Sequence, residues 1–206
     1  MQAYNKSDLE NYFLAEEAKK IYQKKFLSKE QLQMISAQLV QLKSNSNIFF
    51  RIGFFFLGSF LISTIISAFG LILFPLISEN YQIIFFFYAI VAYFGLEVLV
   101  RMKFFRHGLD DAFVLTSQIS FSIGIGILTE AILPVLITML VLGVVFAIRF
   151  INTISALLAF IGLVGIFFNI IVEHDFMPKF YLSFVGLILA VSVYFFVVHL
   201  SKNQNF

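Results

Sequence analysis

Beyond residue 50 the sequence is a series of apolar runs, each close to the length a helix needs to cross a bilayer. The runs lie at roughly 52–76, 82–100, 112–129, 131–148, 153–172 and 181–200. A transmembrane helix takes about 20 mostly apolar residues. The breaks between the runs are short: Ser78-Glu79-Asn80, Arg101 to Asp111, Glu130, Arg149 to Asn152, and Glu173 to Lys179. The pattern predicts an all-α, polytopic membrane helical bundle of six transmembrane helices over 48–206, preceded by a small helical hairpin over 1–47. The runs at 112–129 and 131–148 meet at the single charged residue Glu130, so a re-entrant hairpin is the alternative there.

Composition excludes most other classes. The 206 residues are 60% hydrophobic and 13% charged, with a mean hydropathy of +0.94, against about 25% charged in an ordinary soluble domain. A net charge of +2 is too small for a surface that tracks nucleic-acid phosphates. Cysteine is absent, which removes disulfides, thiolate nucleophiles and Cys-ligated metals. No G-x-S-x-G, H-E-x-x-H, P-loop or dinucleotide fingerprint occurs, and no cofactor is expected. The 29 Phe, dense at Phe54, Phe55, Phe56, Phe85, Phe86 and Phe87, read as bulk facing hydrocarbon.

The first 47 residues hold 12 of the 26 charges. Ser7-Asp8-Leu9-Glu10 and Ser28-Lys29-Glu30-Gln31 have capping-box spacing and predict two short helices. In the first, Leu14, Ala18 and Ile21 share a face. In the second, Leu32, Ile35, Leu39 and Leu42 form one apolar stripe. So short a segment buries little on its own. It is expected to lean on the membrane domain, on lipid, or on a partner.

Charge sets an expected orientation. With the N-terminus cytoplasmic and six spans, the inner segments 1–51, 101–111, 149–152 and 201–206 hold 13 of the 14 Lys and Arg, leaving Lys179 outside. That is the positive-inside pattern. It places both chain ends in the cytoplasm of a bacterial cell whose inner membrane holds the protein. No cleavable signal peptide is expected, because the first apolar run begins only near Ile48. Stripes of small residues, Ser59–Ser63–Ser67, Ser120–Gly124, Ser122–Gly126, Ser155–Ala159 and Gly186–Ala190, predict faces where helices approach closely.

Candidate functional residues are few. Glu97 is the acid well inside a span, and an acid there needs a partner. Arg101 follows at i+4 in the favourable order. Arg51, Glu97, Arg101, Asp110, Asp111, Arg149 and His199 all fall near one leaflet in this topology. They form a candidate inner-leaflet polar cluster, with at least one ion pair tying the second span to another. Asp110 or Asp111 reads as a helix cap. His107 beside the paired Asp, or Glu173-His174-Asp175, offers metal-binding residue types without metal-ligand spacing.

The stretch from Ala18 to Ile35, with Lys-Phe-Leu-Ser-Lys-Glu-Gln-Leu, then Arg51-Ile52-Gly53 and the loop Gly108-Leu109-Asp110-Asp111-Ala112, resembles uncharacterised bacterial polytopic membrane proteins with a short N-terminal helical hairpin. That resemblance implies architecture and no activity. Three functions follow in order of expectation. The first is a non-enzymatic membrane protein whose hairpin docks a cytoplasmic protein or a second copy of the chain. The second is a small transporter or channel built around Glu97. The third is a membrane enzyme using Asp110, Asp111, His107 and His199. The bilayer is a partner in every case, and nucleic acid is in none.

Overall fold

The computed structural model describes residues 2–39, 42–45, 47–77 and 80–173, with Gly186 and Val191 beyond them. Apart from those two residues the run at 181–200 lies outside the described residues. So do Glu79, His174, Asp175, Ala190 and His199. Among the described residues seven helices follow one another: α1 (Lys6–Gln23), α2 (Lys29–Gln38), α3 (Ile48–Ile77), α4 (Tyr81–Arg101), α5 (Leu109–Thr129), α6 (Ile132–Phe150) and α7 (Thr153–Glu173). The last five are long and apolar enough to cross a membrane, and the chain is a helical membrane bundle. Helices suit that setting because each satisfies its own backbone groups where no water can.

Short connections make the spans antiparallel neighbours. Only Glu130 and Ala131 separate α5 from α6, and only Ile151 and Asn152 separate α6 from α7. Such abrupt reversals need left-handed backbone. Glu130 takes φ 51° and closes α5 by donating its N–H to the Gly126 carbonyl at 2.9 Å. Ile151 takes φ 52°, a strained choice for a β-branched residue. Anchors on both sides hold it there: Phe150 is buried in the core, and Asn152 accepts the N–H groups of Ile154 and Ser155 at the start of α7. At 21 and 19 residues, α5 and α6 measure about 31 and 28 Å. Each has the length of a full span.

Helix α5 lies at the centre, packed against α3, α4, α6 and α7. Its buried face carries Val114, Ser117, Gln118, Ser120, Ser122 and Gly124. Helices α6 and α7 approach backbone to backbone. A Cβ built on Gly162 would stand 2.7 Å from the Leu140 nitrogen and 2.8 Å from the Leu136 oxygen. Ser155 and Ala159 lie on the same buried side of α7, which is one of the stripes expected from the sequence. The stripe on α3 is displaced: Gly58, Ile62 and Ile66 face inward, while Ser63 and Ser67 are exposed. Gly58 admits Ala112 and Leu109 to close range, and the two isoleucines offer more apolar contact than serines. Ser59 returns its hydroxyl to the Phe55 carbonyl of its own helix.

The N-terminal helices differ in detail from the sequence expectation. Asn5, rather than Ser7, caps α1, accepting the Ser7 N–H. The Ser28–Gln31 capping box is present in full. Ala18 is buried but Leu14 and Ile21 are exposed. The side of α1 that turns to the bundle carries Leu9 and Tyr12, which with Tyr4 ahead of the helix join the core around Phe105. Leu42 lies past the end of α2 and enters the same core, beside Leu96, Val100, Val114, Phe146 and Phe150. Lys43 then pairs with the α4–α5 loop, its N–H donating to the Lys103 carbonyl at 2.8 Å and its carbonyl accepting the Phe105 N–H at 3.0 Å.

Gly162→Val forces a side chain into the backbone of α6. Overpacking of this kind costs about 1–3 kcal/mol. A clear drop in the thermal unfolding midpoint of the detergent-solubilised protein is expected, and Gly53→Val, where a Cβ meets open space, should leave it unchanged.

Candidate functional site

Arg51, Glu97, Asp110, Asp111 and Arg149 collect at the end of the bundle where α3, α5 and α7 begin and α4 and α6 end. Three clusters form there. In the first, Glu97 of α4 takes the Arg149 guanidinium of α6, with Nη2 at 2.5 Å and Nε at 3.1 Å from one carboxylate oxygen. Tyr93, one turn back on α4, donates its hydroxyl to the same oxygen at 2.7 Å. The expected inter-span ion pair of Glu97 is therefore present, but its cation is Arg149. Arg101, the i+4 candidate, is exposed, and no ion pair between it and Glu97 is found among the described residues.

The second cluster joins three helices. Arg51 of α3 donates through Nε at 2.7 Å and approaches through Nη2 at 2.6 Å to one oxygen of Asp111 on α5. Asn152, ahead of α7, donates its amide to the other oxygen at 2.8 Å. The Asp111 side chain is only 4% exposed, so a missing partner would be costly. The third is Asp110, which accepts the N–H groups of Arg106, His107 and Gly108 at 2.7, 2.9 and 2.9 Å. It fastens the loop before α5 rather than the helix end itself. Gly108 has φ 106° and lies against the Arg51 carbonyl, a conformation open mainly to glycine.

The N-terminal segment ties onto this end. The Ala3 N–H donates to the Arg149 carbonyl at 2.8 Å, satisfying an orphan acceptor at the end of α6. The buried Tyr4 hydroxyl donates to the Phe104 carbonyl at 2.8 Å. Burial, with the charges of Asp110, Asp111 and Glu97, pushes its pKa far above the ordinary range, so it remains a donor. Lys103 reaches Asp8 at 3.1 Å.

Of the candidate residues, Arg51 with Asp111, Glu97 with Arg149, and Asp110 with its loop are thus all engaged, Arg101 stands at the rim, and His199 lies outside the described residues. Sequence reasoning missed Tyr93, Asn152 and Gln118, and read Ser155 only as part of a small-residue stripe. Asn152 carried a signal, since Asn before an apolar run is a helix N-cap. Gln118 carried another, as an amide in mid-span. Its side chain donates to Ser155 at 2.7 Å, while its Oε1 and the Ser122 hydroxyl are buried without a partner among the described residues. Among the described residues no three His, Asp or Glu side chains converge as a metal ligand set. Compared with protein-family models, curated proteins and solved structures, the chain matches none.

Two outcomes are expected. Asp111→Ala leaves Arg51 and Asn152 facing an empty site and costs about 3–5 kcal/mol. The double variant Arg51→Met, Asp111→Leu should recover most of that loss in chemical or thermal unfolding. The second concerns His107, whose ring packs against Phe54 and Phe104 at 4.3 and 4.8 Å. Burial pushes its pKa below the ordinary 6.5, with Asp110 opposing and Lys43 reinforcing. The unfolded chain then takes up the proton first, so this stability is complete above 6.5 and declines as pH falls toward the folded pKa. The unfolding midpoint should fall on acidification through that window, and His107→Gln should flatten the fall.

Proposed function

We propose that the chain is a non-enzymatic integral membrane protein of the bacterial inner membrane that holds a helical module at the cytoplasmic face to dock a protein partner or a second copy of itself. In this reading it crosses six times, with the run at 181–200 as the sixth span and both ends inside. The distribution of Lys and Arg supports that sidedness.

One observation carries the docking role. The start of α1 is fixed to the bundle through Ala3, Tyr4 and Asp8, while α2 buries none of its residues. Between and along them Phe26 is 79% and Met34 70% exposed. A firmly seated module that spends its anchoring on one side and leaves large apolar side chains free on the other is built for contact. The charged residues support a non-enzymatic role, since Glu97, Asp110 and Asp111 are each committed to structural partners. The transporter reading draws on the Gln118 Oε1 and the Ser122 hydroxyl, which have no hydrogen bond among the described residues. Against it, the crevice nearest to them is lined almost wholly by apolar side chains.

The cysteine-free chain allows a direct test with single substitutions. Phe26→Cys should react with a membrane-impermeant maleimide only in opened cells, and Asn80→Cys in intact ones. Cross-linking from Phe26→Cys and Met34→Cys in cells should give a discrete larger species. Adding a Glu at the other of these two positions should abolish it while the protein stays inserted. Labelling of Phe26→Cys from outside, or no cross-linked species, ends the reading.

A further inference from the structure

Helices α4 and α6 run in the same direction, both toward the charged end, on either side of α5. No Cα of one comes within 8 Å of the other. They meet at that end through side chains, by the Glu97–Arg149 pair and by Tyr93 against Phe146, ring centroids 5.9 Å apart. Beyond this closure they leave a crevice of about 420 Å³. Its walls are Ile90, Tyr93 and Phe94 on one side and Leu142 and Phe146 on the other, over Phe121. Ser117 lies in its floor, but its hydroxyl is turned to the Ala89 carbonyl at 3.0 Å, so the surface is apolar. Ile90 and Phe94 are exposed at the rim, so the crevice opens sideways, where hydrocarbon lies.

The cations are placed in line with it. On α4 the spacing Ile90, Phe94, Glu97, Arg101 follows one helix face, and on α6 the spacing Leu142, Phe146, Arg149 does the same. Each wall therefore continues from apolar lining to an arginine at its last turn. Glu97 neutralises only one of the two. Arg101 is exposed, and the Arg149 side chain is still 34% exposed beside Glu97.

We propose that this crevice binds one acyl chain of an anionic phospholipid, with the headgroup phosphate held by Arg101 and the outer edge of Arg149. An apolar slot with two cations and one acid at its polar end is complementary to that amphiphile and not to a zwitterionic one. Gly186 lies against Phe168 of α7, a helix that lines no part of the crevice.

The absence of tryptophan supplies the test. Full-length protein carrying Phe94→Trp, a conservative reporter at the rim, is reconstituted in phosphatidylcholine vesicles containing a minor fraction of phosphatidylglycerol with brominated acyl chains. A matched set carries brominated phosphatidylcholine instead. Leu157→Trp on exposed α7 reports the bulk lipid. Quenching at Phe94→Trp should exceed that at Leu157→Trp for the brominated anionic lipid only. Adding Arg101→Gln should reduce the enrichment about five-fold, the worth of one basic residue at a membrane surface. Equal quenching by the two lipids overturns the proposal, as does enrichment unaffected by Arg101→Gln. Protection from both lipids also overturns it, and would mean that residues 181–200 or a second copy fill the crevice. None of these outcomes bears on the docking role of α1 and α2.

Discussion

A charged side chain in hydrocarbon must find its counter-charge within the protein, because no water is there to replace it. That requirement organises the bundle. The Arg51–Asp111 bond joins α3 to α5, Asn152 adds the start of α7, and the Glu97–Arg149 bond joins α4 to α6. Every one of the five described spans is thus tied at the same end to a helix that is not its neighbour in sequence. The turns on either side of α6 are two residues long and already hold their helices together, so these polar bonds add the pairing of non-adjacent helices. Removing one partner leaves a charge stranded, whereas apolar packing alone would tolerate a slipped arrangement with little loss. Charge pairs at one level therefore act as registration marks for helices whose outer surfaces are nearly uniform.

The same economy extends past the spans. The last carbonyls of a helix have no acceptor role within it, and those of α6 would face a boundary where water is scarce. The Ala3 N–H meets one of them, and Tyr4 meets a carbonyl of the neighbouring loop. Tyr4 and Tyr12 also stand edge-on to Phe105 at 5.1 Å each. Ala3, Tyr4, Leu9 and Tyr12 are in this sense part of the bundle's core, although the segment's composition is that of a soluble one. The consequence for α2 is geometric. With α1 pinned at its first turn and residues 42–45 paired to the α4–α5 loop, α2 is held at both ends without burying a residue of its own.

Spans were legible in the sequence because their signal is additive over some twenty residues and needs no knowledge of neighbours. The Ser28–Gln31 box was legible because both partners lie within one turn. Partner choice in the membrane was not. Spacing pointed Glu97 to Arg101, four residues away, and the bond forms with Arg149, 52 residues away. The i+4 pair is worth only a few tenths of a kcal/mol in water. Arg149, delivered by the parallel helix α6, brings two donors at once to Glu97. The serine stripe of α3 misled for a related reason. Small residues permit approach, but a neighbouring face with one glycine and two isoleucines permits it and adds contact. Asn152 was visible as a helix cap, yet its second role, holding Asp111, depends on where α5 happens to lie.

The bundle is uneven along its length. At the charged end ion pairs, aromatic contacts and the N-terminal segment converge around Phe105, Leu96 and Val114, all almost fully buried. Toward mid-span α4 and α6 part, and the Gln118 Oε1 and the Ser122 hydroxyl are buried with no hydrogen bond among the described residues. The Glu97–Arg149 pair closes α4 against α6 at the charged end, and the crevice between the two helices lies beyond it. A lipid chain seated between α4 and α6 would add apolar contact where the protein has least. It would do so without touching the bonds that set the register, which is why such a lipid could be exchanged while the fold persists.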